Sequence, residues 1–110
     1  IIYHGPLWGE KLQVWLNVTT GLDYDEAELR IIGEKIWNME RLFNLKAGLT
    51  AKDDALPRRM THEPCVKGQV VPMDRMLPEY YDLRGWDEKG IPKAQKLAEL
   101  GLSNRELNNP

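Results

Sequence analysis

Cysteine occurs once in these 110 residues, so no internal disulfide can form, and that usage fits a reducing, cytoplasmic setting. With only two histidines beside that cysteine, a complete protein-held metal site is not expected. No apolar run approaches the ~18 residues of a spanning helix, and no signal peptide is recognisable, which argues against a membrane partner. Charge of neither sign dominates: 15 Lys and Arg are interspersed with 17 Asp and Glu, for a formal net charge of −2. That balance leaves no basic face for nucleic acid or a lipid surface. Also missing are a nucleophile elbow, a glycine-rich phosphate loop and paired cysteine motifs. As a self-sufficient catalyst the chain is poor. It opens Ile-Ile-Tyr-His without an initiator methionine, the expected form of a fragment or processed product.

What is present is helix-forming sequence, with 42% hydrophobic residues and four tryptophans to fill a core. The organising stretch runs from Asp25 to Arg59. Asp25 and Glu28 form a capping box, and Leu29, Ile32, Ile36, Met39 and Phe43 recur at helical spacing on one expected core face. Leu42 and Leu45 widen that face, and Gly48-Leu49 supplies a left-handed stop. Gly33 interrupts the helix at about 1 kcal/mol relative to alanine, and close approach of a second helix is its expected reason. A backbone surface opened for a ligand is the alternative, with no phosphate-loop or strand context to support it. Trp37 and Arg41, one turn apart, are expected to form a structural cation–π pair.

Around this spine, Leu12, Trp15, Leu16 and Thr19 predict a first helix over about 9–20, stopped by Gly21. Thr50 and Asp53 cap a short turn closed by Pro57; the adjacent Asp53-Asp54 pair suits capping better than acid–base work. Residues 60–72 form an irregular central loop holding Cys65, with Gln69-Val70-Val71 as its one plausible strand. His62-Glu63 lacks the two-histidine spacing of a zinc protease, and Tyr3-His4 beside the Gly5-Pro6 turn is read as surface rather than ligand. A helix over about 74–84 takes Asp74 as N-cap, starts near Met76 or bends at Pro78, buries Met76, Leu77, Tyr80, Tyr81 and Leu83, and stops at Gly85. The paired tyrosines are read as core and rim packing, with Trp86 packed against the domain and a turn over 87–90. Pro92 is placed at the first position of a last helix that ends at Gly101-Leu102, after which 103–110 frays. The fold expected is all-α: a single domain over 1–110, a bundle of about four to five helices.

The run GEKIWNMERLFNLKAGLTAKDDALPRR, followed by YYDLRGWDEKGIP and LAELGL, resembles the C-terminal helical region of the aldehyde ferredoxin oxidoreductases, over about 12–102. These are tungsten-pterin, iron–sulfur enzymes. The resemblance implies a parent that oxidises aldehydes to carboxylates, takes oxygen from water and passes two electrons through a cluster to ferredoxin. It implies tungsten (or molybdenum) held by two molybdopterins, and one 4Fe–4S cluster. In the family an N-terminal β domain and two largely helical domains enclose these cofactors. The last cluster cysteine lies in an Asp-x-x-Gly-Leu-Cys motif, which is absent here and by the family's order falls shortly before Ile1. Cys65 does not match a cluster position, and a 4Fe–4S cluster typically takes four thiolates.

No catalytic, cofactor-binding or metal residue is therefore carried over; only Ile1 to His4 are placed near the cofactors. The segment itself is expected to be structural, with the upstream domains of the same enzyme as its partners and ferredoxin reached through the parent. The competing expectation is a stand-alone helical interaction module without catalytic activity. If the segment docks on those domains, Ile1, Ile2, Tyr3, Leu7 and Trp8, which crowd the N-terminal end, are the expected docking surface; the alternative is that they cap the segment's own core.

Overall fold

The computed structural model describes residues 10–64 and 68–102. Its helices are α1 (Glu10–Thr20), α2 (Glu26–Lys46), α3 (Arg58–His62), α4 (Met73–Arg84) and α5 (Ala94–Glu99). Among the described residues there is no strand, and β-type pairing is confined to an isolated antiparallel bridge between Trp86 and Pro92. The all-α expectation holds. The readings of Ile1 to Trp8, Cys65 and the 103–110 tail fall outside the described residues. The chain divides into two units, Ile1–Trp37 and Asn38–Pro110.

In the first unit, α1 ends where Gly21, at φ 72°, lets its N–H donate to the Asn17 carbonyl. The connection is tied by side chains. Gln13 Nε2 and Asn17 Nδ2 each donate to the Tyr24 carbonyl at 2.8 Å, and Tyr24 N–H donates to Asn17 Oδ1 at 3.1 Å. The expected capping box is present: Glu28 N–H donates to Asp25 Oδ1 at 2.8 Å and Asp25 N–H to Glu28 Oε2 at 2.9 Å. The apolar stripe predicted for α1 turns in only at Leu16; Leu12 and Trp15 are exposed.

The spine helix α2 ends as predicted, in a Schellman motif. Gly48 adopts φ 97°, Gly48 N–H donates to the Leu45 carbonyl, and Leu49 N–H to that of Asn44, both at 3.0 Å. Its predicted core face holds only in part. Leu42 is buried and Leu29, Ile32 and Leu45 are half-buried, but Ile36, Met39 and Phe43 are 52%, 45% and 71% exposed, and the buried positions beside Leu42 are Asn38 and Arg41. At 100° per residue the buried side is thus rotated from the predicted stripe towards Asn38 and Arg41, with Leu42 at its border.

The second unit holds the buried residues. Leu42 meets Leu97, Leu100 and Leu102 in an apolar cluster, each such side chain worth about 1.5–3 kcal/mol of burial. The last two leucines reach it through the predicted stop: Gly101 takes φ 64° and Leu102 N–H donates to the Leu97 carbonyl at 2.8 Å.

Several local expectations are corrected here. The 58–62 stretch is helical, with Pro57 at its N-cap, so that proline opens an element where a closed turn was expected. Gln69-Val70-Val71 is not a strand: Val71 N–H donates instead to the Met60 carbonyl at 3.0 Å. α4 begins at Met73 with Pro72 as N-cap, displacing Asp74 from that role, and it runs through Pro78. The proline removes only one donor, which would have met the Asp74 carbonyl in the first turn. Met76 and Leu83 are exposed, at 47% and 84%. Pro92 precedes the N-cap Lys93 and is held in the bridge with Trp86, so it stands outside α5.

Candidate functional site

The polar centre of the second unit is assembled from α2, the turn after it, the end of α4 and the 87–90 turn. Arg41, only 7% exposed, is its hub. Its guanidinium pairs with the Asp54 carboxylate in bidentate fashion, Nη1 to Oδ1 at 2.8 Å and Nη2 to Oδ2 at 2.5 Å. Arg41 Nε donates to the Gly90 carbonyl at 2.8 Å. The Tyr81 hydroxyl donates to Asp54 Oδ2. One tier away, Trp86 Nε1 donates to the fully buried Asn38 Oδ1 at 2.9 Å. Among the described residues, no buried side-chain nitrogen or oxygen lacks a partner.

Aromatic rings close over this network. The Arg41 guanidinium carbon lies 4.9 Å from the Trp86 ring centroid and 6.0 Å from that of Tyr81. Arg41 thus meets, in cation–π geometry, two rings distant in sequence that helical spacing did not suggest. Tyr80 stands edge-on to Trp86 at 5.6 Å, and Tyr81 lies 5.8 Å from it. The paired tyrosines are core and rim, as expected: Tyr81 is buried, and Tyr80 is half-buried with Arg84 5.3 Å from its centroid.

Local sequence explains how Gly90 comes to face Arg41. Asp87 Oδ1 accepts from Lys89 N–H and Ile91 N–H, both at 2.9 Å, folding the turn back on itself. Gly90 takes φ 71° there, and a Cβ at that position would lie 2.2 Å from Arg41 Nη2 and 2.9 Å from the Tyr81 hydroxyl. Only glycine fits both the backbone and the space.

The charges are locked in place. Burial alone would push the Asp54 carboxyl up, but hydrogen bonds from Arg41 and Tyr81 outweigh it and hold it below the usual carboxylate range. Burial likewise opposes the Arg41 cation, and its bonds to Asp54 more than offset this, leaving it raised. Burial, together with the hydrogen bond to Asp54, pushes the Tyr81 hydroxyl up to about 12. A carboxylate held ionised and a phenol held protonated are poorly suited to proton transfer near neutrality. Beside the network, Leu77, Pro78, Tyr81, Trp86, Lys89 and Lys93 line an open depression of about 620 Å³.

The residues singled out from sequence sit elsewhere. Asp53 does cap its turn, accepting from Thr50 N–H at 2.7 Å, but its neighbour Asp54 is no cap and turns to Arg41. The exposed His62 Nδ1 lies 2.7 Å from the Thr61 hydroxyl, and Glu63 lies 3.7 Å from Arg59. Gly33 is exposed, and a Cβ there would meet nothing within 4 Å, so no close helix approach occurs at it among the described residues. Among the described residues no three His, Cys, Asp or Glu side chains converge as metal ligands. Asn38, Asp54 and Gly90 were missed as partners. The available signal was a second stripe on α2, Asn38, Arg41, Leu42 and Leu45, at helical spacing but half polar.

Comparison with known proteins gives a consistent picture. The family model described as "Aldehyde ferredoxin oxidoreductase, domains 2 & 3" matches residues 4–102. The chain is 53% identical over 94 residues to a tungsten-containing aldehyde ferredoxin oxidoreductase of Pyrococcus furiosus, covering 80% of this chain and 15% of that protein. A protein of the same name from Pyrococcus abyssi is 52% identical over 92 residues, covering 79% and 15%. An aliphatic sulfonate oxidoreductase, WOR-like subunit, of Pyrococcus furiosus is 32% identical over 106 residues, covering 84% and 17%. The chain thus spans about 15% of the length of the first of these relatives.

Proposed function

This chain belongs to the aldehyde ferredoxin oxidoreductase family, and we propose that it is a structural helical part of a longer tungsten-containing enzyme of that family. The whole polypeptide, on this reading, oxidises aldehydes to carboxylates and delivers two electrons per turnover to ferredoxin. The observation that carries it is the identity of 50–53% to four tungsten-containing aldehyde ferredoxin oxidoreductases, over four-fifths of this chain.

On this reading the cofactors are held elsewhere in the polypeptide: an iron–sulfur cluster typically takes four thiolates, and among the described residues no three His, Cys, Asp or Glu side chains converge. The inward-facing carboxylate, Asp54, has both oxygens committed to Arg41, and one also to Tyr81. No chemical step is therefore assigned to this segment. Its contribution is structural: within the second unit, Arg41, Asp54 and Trp86 tie the C-terminal part of α2 to the end of α4. This supports a role in holding shape, with the metal-centre chemistry supplied elsewhere in the polypeptide.

The test uses the full-length polypeptide that contains this segment, purified without oxygen. It is expected to hold tungsten near one equivalent and to reduce a viologen dye with aldehydes. Residues 1–110 alone are expected to hold no stoichiometric tungsten, molybdenum or iron and to be inactive. Full-length protein free of tungsten and inert to aldehydes, or tight metal binding by 1–110 alone, overturns the reading.

A further inference from the structure

We propose that Tyr81 is a redox-active tyrosine, the point at which an oxidising equivalent reaching the Tyr80–Trp86–Tyr81 cluster comes to rest, its hydroxyl proton passing to the Asp54 carboxylate. Every group involved lies within the second unit, whatever longer protein that unit belongs to. The three rings are mutual neighbours. The centroids of Tyr80 and Trp86 lie 5.6 Å apart, those of Tyr81 and Trp86 5.8 Å, and those of Tyr80 and Tyr81 6.3 Å. Electron exchange falls off steeply with separation, so rings at these distances share an oxidising equivalent. Tyr80 is half-buried while Tyr81 and Trp86 are 5% and 4% exposed, so the cluster leads from the surface inward.

The proton decides where the equivalent stops. Intact, the Tyr81 hydroxyl, at about 12, keeps its proton against a carboxyl held below the usual range. Loss of an electron turns the same phenol into a strong acid, and even a weak base then takes the proton. The Tyr81 hydroxyl already donates to Asp54 Oδ2, so the transfer runs along an existing hydrogen bond. Trp86 is placed differently. Its Nε1 donates to the Asn38 amide oxygen, a far poorer base than a carboxylate, so an oxidised indole keeps its proton and its positive charge. The Arg41 guanidinium, 4.9 Å from the indole centroid, disfavours that charge. A neutral tyrosyl radical escapes this repulsion. Trp86 therefore passes the equivalent on, and Tyr81 retains it.

In the step itself, Tyr81 gives one electron to a soluble one-electron oxidant. Its O–H bond breaks, an O–H bond forms on Asp54 Oδ2, and a neutral phenoxyl radical is left beside a neutral carboxyl. Arg41 Nη1, 2.8 Å from Asp54 Oδ1, keeps the carboxyl from swinging away. The cation also disfavours the protonated carboxyl, so the proton returns to Tyr81 once a reductant such as a thiolate restores the electron. The open depression lined by Tyr81 and Trp86 brings a small partner of either kind beside the rings.

The experiment oxidises the 110-residue chain with a ruthenium(III) polypyridyl complex generated by a light flash. Radicals are followed by transient absorption and, after freezing, by electron paramagnetic resonance. The expected result is a long-lived tyrosyl signal that persists in Tyr80→Phe and is lost in Tyr81→Phe. Its rate of formation should fall in deuterium oxide and be independent of buffer concentration, because the proton acceptor is internal. Asp54→Asn, close in shape but without the base, is expected to make the rate depend on buffer and to move the signal to the indole. A tyrosyl signal that survives Tyr81→Phe, or a parent chain that yields only tryptophan radicals, overturns the proposal. So does an Asp54→Asn chain with the parent's rate and signal. Buffer dependence in the parent chain also overturns it, and that measurement stands even where a variant fails to fold.

Discussion

Arg41 and Gly90, 49 positions apart, are joined by a hydrogen bond from the guanidinium Nε to the glycine carbonyl at 2.8 Å. The contact couples the middle of α2 to the turn after α4, and the glycine is needed twice over. Its φ of 71° disfavours any side chain, and a Cβ would overlap Arg41 Nη2 at 2.2 Å. Gly90→Ala is thus expected to destabilise the chain by at least about 2 kcal/mol, because both backbone strain and displacement of the buried cation contribute. Urea unfolding followed by circular dichroism measures this, and a change below about 0.5 kcal/mol, the range of ordinary surface substitutions, would show that the turn does not hold Arg41.

The ion pair predicts an asymmetry between its two partners. Asp54→Ala leaves Arg41 charged and buried, with a side chain 7% exposed, and is expected to cost about 3–5 kcal/mol. Arg41→Met keeps the volume and leaves behind Asp54, 24% exposed and open to water, so its cost is expected to be smaller. The double variant should recover part of the Asp54→Ala loss, since the unpaired cation is gone. Equal costs for the two single changes would argue against burial of the charge as the source of the effect.

How much of this was legible in the residues depends on whether the signal was local. The capping box of Asp25 and Glu28, the stop at Gly48, the stop at Gly85 and the Gly101-Leu102 ending each involve partners within a few positions, and all formed as read. The inward face of α2 was read correctly at Leu42 but not at Ile36, Met39 and Phe43, because periodicity counts apolar residues without knowing what they meet. Ile36, Met39 and Phe43 satisfy the pattern of a core face, yet the inward side is chosen by Arg41 meeting Asp54 and by Asn38 meeting the indole of Trp86. Those partners lie 13 and 48 residues away, and no spacing rule reaches them. Pro92 was misplaced for a related reason: a proline before a helix favours its first turn, but the antiparallel bridge with Trp86 fixed it outside. Asp54 was hidden by its neighbour, since the two adjacent aspartates look alike until one of them faces Arg41.

The tyrosine in the network predicts a pH dependence at the alkaline end. Tyr81 titrates at about 12 in the folded chain against an ordinary value of 10. A raised value means the folded state holds the proton more tightly, so this stabilisation is complete below about 10 and is lost as pH rises towards 12. Tyr81→Phe cannot titrate and loses the bond to Asp54 at every pH. The stability difference between the parent chain and the variant is therefore expected to shrink between pH 10 and pH 12. A difference that stays constant across that window would show that the hydroxyl is not held as described. At the acid end the sign reverses: Asp54, held low, contributes stability that is lost as pH falls through its folded value.

Gly33 separates the chain by itself from the chain in its larger setting. It is exposed in the middle of α2, and among the described residues an added Cβ meets nothing within 4 Å. In the 110-residue chain the helix propensity then acts alone, and Gly33→Ala is expected to stabilise by up to about 1 kcal/mol. Gly33→Leu should also be tolerated, since no neighbour needs to move. In the full-length polypeptide the same leucine would stand where a backbone is expected to approach, and overpacking of that kind costs about 1–3 kcal/mol. Thermal melts of both variants in both settings measure the contrast. Stabilisation by leucine in both would mean that nothing packs on Gly33 in the longer protein. A loss on Gly33→Ala in the 110-residue chain would mean that the glycine is already in contact there, and the open flank of α2 would not exist.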